Sequence, residues 1–396
     1  MKKSLLFVID SLDVAGAEKS LVTLLNLLDF NQYSVDLLLF AHGHMLEELV
    51  PSEVNMLQPL KYTKFTEMNL RAALVESFTK SDFKMLSTRI KFSYEIRKKK
   101  FSNAQKARIY WQNASKVIED HPREYDIAIS YAQGVPTFYV AEKVKAKKKM
   151  TWVNVSYRLN ETDKKFQSKY YDQYDQIVAV SDSAKEVLVE TFPNYAHKIT
   201  ILYDINNPEF ISNMAEIGSH YEDDFDGIRI LTVGRLAHQK GYDVALEACK
   251  KLKEEGIHFR WYVLGKGPLQ ADIAKSIKEM ELTKHFILLG VKANPYPYFK
   301  KADIYVQTSR FEGFGLAIAE ARMLNVPVVT SKFDAVYNQM VHGKNGLVVD
   351  RNAVAIAEAI KTLINNQELR RNIVDYLQAE KKGNIEEVES FYQLIN

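Results

Sequence analysis

A single cysteine, Cys249, stands in 396 residues. That excludes an intrachain disulfide framework and a cysteine-built zinc site, and its helical setting reads as a small core side chain. No apolar run approaches the roughly 20 residues needed to cross a membrane as a helix. The nearest thing to a leader is Met1-Lys2-Lys3 ahead of Leu5-Leu6-Phe7-Val8-Ile9. It breaks at Asp10 with no small-residue cleavage pattern, so a first β-strand is expected there. Neither sign of charge dominates: 53 Lys and Arg stand against 50 Asp and Glu, a formal net of +3. Any electrostatic partner must therefore be sought in local clusters. Also missing are the G-x-G-x-x-G dinucleotide fingerprint and any internal sequence repeat. With 46% hydrophobic and 26% charged residues, a globular chain remains, long enough for two domains with separate cores. The poverty in cysteine fits a reducing cytoplasm.

Short apolar runs alternate with helical periodicity through most of the chain. Strands are expected near 4–9, 35–40, 125–130, 150–153, 176–180 and 199–202, then near 228–233, 259–264, 286–289, 303–306 and 327–330. The break between these groups, around Asn206-Asn207-Pro208 and the acidic run 222–226, marks a domain boundary. Asp224-x-Asp226 has the form of a metal-binding D-x-D, but it precedes a strand and reads as a solvated acidic loop.

The most informative stretch is Glu312-Gly313-Phe314-Gly315-Leu316-Ala317-Ile318-Ala319-Glu320-Ala321, directly after the expected strand 303–306. Glu320 falls inside an apolar helix, with Leu316, Met323 and Leu324 on its own face, so its carboxylate needs a polar partner. Glu312 lies in the glycine turn at a strand's carboxyl end, where open α/β sheets place their ligands. Either Glu alone reads as an ordinary surface or ion-paired residue; together at this spacing they suit a polyol. In Gly234-Arg235-Leu236-Ala237-His238-Gln239-Lys240-Gly241, an Arg and a Lys five apart cross a short loop after strand 228–233. They can converge on one anionic group, Arg as a planar fork and Lys as a point charge.

These segments resemble the signature of family-4 retaining glycosyltransferases, with Gly265-Lys266-Gly267-Pro268 and Gly290-Val291-Lys292 in agreement. The resemblance covers the second half of the chain and, more loosely, the first 40 residues and 150–208. It implies an α/β GT-B fold: two facing doubly wound, Rossmann-like domains with the active site in an interdomain cleft. The first, acceptor-side domain would span 1–205, joined by a closing helix at 380–396; the second would bind the nucleotide sugar across 206–379. By the same resemblance, Arg235 and Lys240 neutralise the leaving diphosphate and Glu312 binds hydroxyls of the transferred sugar. Glu320 takes the ribose hydroxyls, Val291 contacts the base, and Gly234 and the backbone of Gly313, Phe314, Gly315 and Leu316 line the donor. Gly16, in the turn after the first strand, lets that loop approach sugar and phosphate. No cofactor or metal is implied, because the nucleotide sugar is a substrate and the basic pair supplies the positive charge. The pattern departs at Trp152-Val153-Asn154, where many bacterial members have Trp-Ile-His; Asn154 cannot carry a proton at neutral pH. Asn154, Tyr131 and Gln133 are secondary candidates for sugar or acceptor contacts.

The strongest local charge asymmetry runs from Lys84 to Arg108, with Arg89, Lys91, Arg97, Lys98, Lys99 and Lys100 interleaved among aromatic and aliphatic residues. It reads either as a basic amphipathic surface for an anionic membrane, or as a solvated helix face with a packed underside. Nucleic acid is a third ligand for such charge, but no recognition fold accompanies it. The resulting expectation is a cytoplasmic enzyme, peripheral at the inner face of the plasma membrane. It would move a sugar, most simply from a UDP-sugar, to a glycan or lipid-linked acceptor in cell-surface polysaccharide synthesis. The competing expectation is a non-catalytic accessory subunit on the same fold that binds a partner glycosyltransferase; such proteins typically lose the basic pair or the first Glu.

Overall fold

A computed structural model describes residues 2–13, 16–154, 159–218, 220–292 and 294–396. The chain divides into two units, Met1–Tyr203 with Val388–Asn396, and Asp204–Glu387. Each is built on one parallel sheet.

The first unit carries β1 (Lys3–Ile9), β2 (Tyr33–Leu39), β3 (Asn55–Met56), β4 (Glu124–Ser130), β5 (Lys145–Val153), β6 (Gln176–Ala179) and β7 (Ile199–Ile201). Their order across the sheet is β3-β2-β1-β4-β5-β6-β7, every neighbour parallel. Parallel strands are covered on both faces, so they must be apolar on both. Leu5 to Ile9 of β1 accordingly lie at or below 1% exposure. The closing helix Glu387–Ile395 packs on this unit. Phe391 stands 6.2 Å from the rings of both Phe7 and Trp152, and Tyr392 stacks on Tyr33 at 5.5 Å.

The second unit carries β8 (Ile228–Val233), β9 (Phe259–Leu264), β10 (Phe286–Gly290), β11 (Ile304–Gln307), β12 (Val328–Ser331) and β13 (Gly346–Val349). Their order is β10-β9-β8-β11-β12-β13, again all parallel. Helices such as Tyr242–Glu254 and Ala353–Asn365 bury Ala245, Leu252, Ile356 and Ile360 against one face. The order reverses between β8 and β11, so a crevice opens outside their carboxyl ends. The residues leaving those two strands are Gly234–Gly241 and 308–315.

Two short strands, β3 and β13, were not expected from the sequence. Asp224 and Asp226 are exposed, as expected of a solvated loop, while Asp223 just before them is tied to the fold. Asp223 accepts from Arg260 at 2.7 Å and Tyr262 Oη at 2.5 Å, anchoring the segment to β9. Asp226 pairs with His258 at 3.0 Å. Among the described residues no group of three or more His, Cys, Asp and Glu is placed to hold a metal. Cys249 is a core residue, and burial pushes its thiol pKa well up.

Candidate active site

The carboxyl ends of β10, β9 and β8 form a glycine ledge. Gly265 N–H donates to Gly290 C=O at 2.8 Å, and Gly234 N–H to Leu264 C=O at 2.9 Å. A methyl group on Gly265 would lie 2.0 Å from Gly234 O, closer than any side chain permits, so only glycine lets these backbones meet. Val291 follows directly, half-buried.

From Gly234 the chain loops to Gly241, which is left-handed (φ 64°) and opens the helix Tyr242–Glu254. The turn after β11 holds this loop carbonyl by carbonyl. Thr308 Oγ1 donates to Lys240 C=O (2.9 Å) and Gly241 C=O (3.0 Å), and Arg310 N–H donates to Gln239 C=O (2.7 Å). Arg310 Nη1 donates to His238 C=O at 2.8 Å, while its fork grips Asp243. Two loops that leave different strands are thereby fixed as one piece.

The consequence is a short ion pair: Lys240 Nζ lies 2.5 Å from Glu312 Oε1. Their side chains are 19% and 8% exposed, so neither charge is freely solvated. Glu312 is further held by Ser309 Oγ (2.6 Å) and Gln307 Nε2 (3.2 Å) on Oε1, and by Gln239 Nε2 (3.2 Å) on Oε2. Gln307 is itself fixed by Tyr305 Oη at 2.7 Å. A carboxylate with this many donors keeps its orientation. Sequence reading missed Ser309, Gln307 and Gln239; generic polar residues at strand ends carry no signal until the partner is located. Arg235 is exposed, with no side-chain partner among the described residues. Its neighbour Gly234 lies against the Lys240 stem, where a methyl would sit 3.1 Å from Cε.

Gly315 (φ 85°) caps the helix Leu316–Met323 from the left-handed region, and Gln339 Nε2 donates to Phe314 C=O and Gly315 C=O at 2.5 and 3.2 Å. Inside that helix Glu320 is buried at 3% exposure and accepts from Tyr296 Oη at 3.1 Å, the polar partner its apolar face requires.

The first unit gathers Tyr131, Gln133 and Asn154 at the ends of β4 and β5. Asn154 Nδ2 donates to Tyr131 C=O at 2.7 Å, and its backbone N–H to Gln133 Oε1 at 3.1 Å. Tyr131 is a core side chain, stacked on Trp152 at 5.1 Å with its hydroxyl 3.0 Å from Ser20 Oγ. Gly16 opens the helix Gly16–Asn26, and Val14 and Ala15 ahead of it lie outside the described residues. In that helix's first turn, burial, reinforced by the charges of Asp10 and Asp13, pushes the Glu18 pKa up to about 7.

The basic stretch divides. Arg89 donates to Phe65 C=O at 3.2 Å, Arg108 pairs with Asp163 at 2.5 Å, and Trp111 is buried with its indole N–H on Glu142. These serve the fold, so Arg89 is not part of a free patch. Lys91, Arg97, Lys98, Lys99 and Lys100 are exposed.

Residues 220–380 match the family described as "Glycosyl transferases group 1". The chain has the GT-B fold and is related to bacterial polysaccharide glycosyltransferases. Anabaena HepE, solved with UDP and glucose, superposes with a TM-score of 0.68 at 16% identity, covering 99% of this chain and 98% of that one. A variant of Staphylococcus aureus TarM, solved with UDP and alpha-GlcNAc-glycerol, gives 0.69 at 14% identity over all of both chains. Among curated proteins, this GT-B chain is 29% identical over 206 residues to a Campylobacter jejuni enzyme. That relative is N-acetylgalactosamine-N,N'-diacetylbacillosaminyl-diphospho-undecaprenol 4-alpha-N-acetylgalactosaminyltransferase; the match covers 52% of this chain and 54% of that protein. Staphylococcus aureus CapM, a capsular polysaccharide biosynthesis glycosyltransferase, is 27% identical over 50% of this chain and 54% of its own. The chain thus spans about half the length of the curated relatives it matches.

Proposed function

We propose that the chain is a retaining, metal-independent glycosyltransferase. It moves a sugar from a UDP-linked donor to a glycan or lipid-linked acceptor in cell-surface polysaccharide synthesis. The observation that carries this reading is the Lys240–Glu312 pair fixed at the β8/β11 reversal, beside exposed Arg235 and the glycine ledge.

In this reading the ledge from Gly234 to Val291 takes the nucleotide by its backbone, and Glu320 exchanges part of its hydrogen bonding for the ribose hydroxyls. Arg235 and Lys240 face the diphosphate. As the bond from anomeric carbon to phosphate oxygen breaks, negative charge grows on that oxygen. Preorganised positive groups there are worth about 3–4 kcal/mol each when removed. Glu312 accepts hydroxyls of the sugar, and the N–H groups from Gly313 to Leu316 face the same side. The acceptor hydroxyl forms the new bond on the face the diphosphate leaves, and its proton passes to the departing phosphate oxygen. No carboxylate acts as a glycosidase-type nucleophile.

The bound UDP in HepE and TarM and the undecaprenol-linked substrate in the Campylobacter relative's name support donor and acceptor class. The exposed basic residues Lys91 and Arg97 to Lys100 suit an acceptor held at an anionic leaflet and support a reading in which the protein works at the inner face of the plasma membrane. At roughly 1 kcal/mol per basic residue near such a surface, five suffice for peripheral attachment. The test is a screen of nucleotide sugars for slow hydrolysis without acceptor. One UDP-sugar should be turned over, and Arg235→Ala should abolish this. Nucleotide binding with no turnover of any donor refutes the proposal and leaves a non-catalytic accessory protein.

A further inference from the structure

The helix Leu70–Thr79 is built inside out. It buries only the small side chains Ala73 and Ser77, and turns Leu70, Leu74 and Phe78 to solvent at 42 to 68% exposure. These three follow at i, i+4, i+8, so they form one stripe along the helix. Phe78 continues the stripe across the turn to Phe83, rings edge-to-face with centroids 5.1 Å apart. The next helix, Lys84–Arg97, extends it with Ile90 and Tyr94, both more than half exposed. Large apolar side chains exposed in this number on two consecutive helices suit a binding surface better than scattered single ones do.

Its rim is positive. Lys84, Lys91 and the run Arg97 to Lys100 are exposed, and Lys98 Nζ lies 4.5 Å above the Tyr94 ring. Of the acids nearby, Glu76 pairs with Lys80, Asp82 accepts from Lys84 N–H at 2.9 Å, Glu95 accepts from Asn113 at 2.7 Å, and Glu67 is exposed, so basic residues outnumber acids along the rim.

We propose that this face docks on an anionic lipid bilayer. The Phe78–Phe83 tip and the Leu70/Leu74 stripe enter the headgroup boundary, and the lysines and Arg97 meet lipid phosphates. An apolar stripe bordered by basic residues is what an interfacial helix pair requires. A second copy of the chain fits less well, because a two-fold contact would set this basic rim against itself. A polynucleotide would meet the lysines but leave Leu70 and Leu74 bare. The proposal rests on the lipid-linked acceptor reading for its purpose and adds the element that inserts.

The full chain is floated with phosphatidylglycerol/phosphatidylcholine vesicles and with pure phosphatidylcholine vesicles. Binding is expected to the first and not the second. L74S/F78S should weaken it roughly tenfold or more through lost insertion. K98A/K99A/K100A should weaken it and reduce its salt dependence, with Lys84, Lys91 and Arg97 remaining. UDP-sugar hydrolysis by L74S/F78S should equal that of the parent, which shows the fold intact. No flotation with anionic vesicles, or equal binding to both kinds, overturns the proposal. So does a dimer in ultracentrifugation that L74S/F78S dissolves while vesicle binding is absent. Anionic-vesicle binding by a protein that turns over no nucleotide sugar upholds this surface and sinks the transferase reading instead.

Discussion

Removing Lys240 should cost the second unit more than removing its partner, Glu312. The Glu312 side chain is 8% exposed and Lys240 19%, so the two losses are unequal. Lys240→Met strands a nearly buried carboxylate, a change that costs about 3–5 kcal/mol when nothing else compensates. Here Ser309, Gln307 and Gln239 remain as donors, so the expected loss is nearer 2 kcal/mol. Glu312→Gln leaves an ammonium on a flexible stem that can swing to water, for a loss of about 1 kcal/mol. The double variant strands neither charge, so the single losses should exceed their joint effect by roughly 1 kcal/mol. Amide hydrogen exchange in β8 and β11 reads these free energies for the second unit alone. Equal single losses, or strict additivity, would refute the claim that this pair is one electrostatic unit. Turnover offers the complementary readout, since Lys240→Met should also lower it by about 10²–10³ if the ammonium stabilises the leaving diphosphate.

Other perturbations follow from the same geometry. Gly241→Ala would put a methyl 2.1 Å from Thr308 C=O at a left-handed backbone position, so it should separate the two loops. Donor affinity should fall while the β9 and β10 amides keep their protection. Tyr296→Phe removes the 3.1 Å hydrogen bond to buried Glu320 and should cost about 1–2 kcal/mol in the same exchange experiment. Gln307→Leu leaves Glu312 its lysine but frees its orientation, so turnover should fall more than donor affinity; equal falls would mark Gln307 as merely structural. Glu18 has a folded pKa near 7 against an ordinary 4.5, so the folded state holds its proton longer. Stability from this residue is therefore lost as pH rises from about 4.5 through 7. Glu18→Gln should raise the melting temperature at pH 8 by a few degrees, on the order of 1 kcal/mol after discounting for partial exposure, and leave it unchanged at pH 4.

Much of the second unit was legible because its chemistry sits at strand ends marked by glycine. Gly234, Gly265, Gly290 and Gly315 each follow a strand or open a helix, and each is where backbones approach or turn left-handed. Glu320 could be singled out because a carboxylate on an apolar helix face demands an explanation, and Tyr296 supplies part of one. The donors that orient Glu312 were not legible: Gln307 and Ser309 look like any polar residues until a fold brings a carboxylate to them. In the first unit, Tyr131 was read as a ligand contact, but an aromatic at a strand's end is equally suited to stacking on Trp152. The helix Leu70–Thr79 escaped for the opposite reason. Pattern reading takes apolar spacing to mean an inward face, and here the large side chains point out while Ala73 and Ser77 point in. Arg89 and Lys91 share one helix and one charge, and only burial separates the fold-serving residue from the exposed one.

The most direct test is calorimetric titration of UDP, UMP and a turned-over UDP-sugar into the parent chain, R235A/K240M and Glu312→Gln. If Arg235 and Lys240 clamp the diphosphate and Glu312 reads the sugar, the basic double variant should bind UDP no better than UMP. Glu312→Gln should keep its UDP affinity and lose the added affinity for the UDP-sugar. Undiminished preference for UDP over UMP in R235A/K240M would contradict the account.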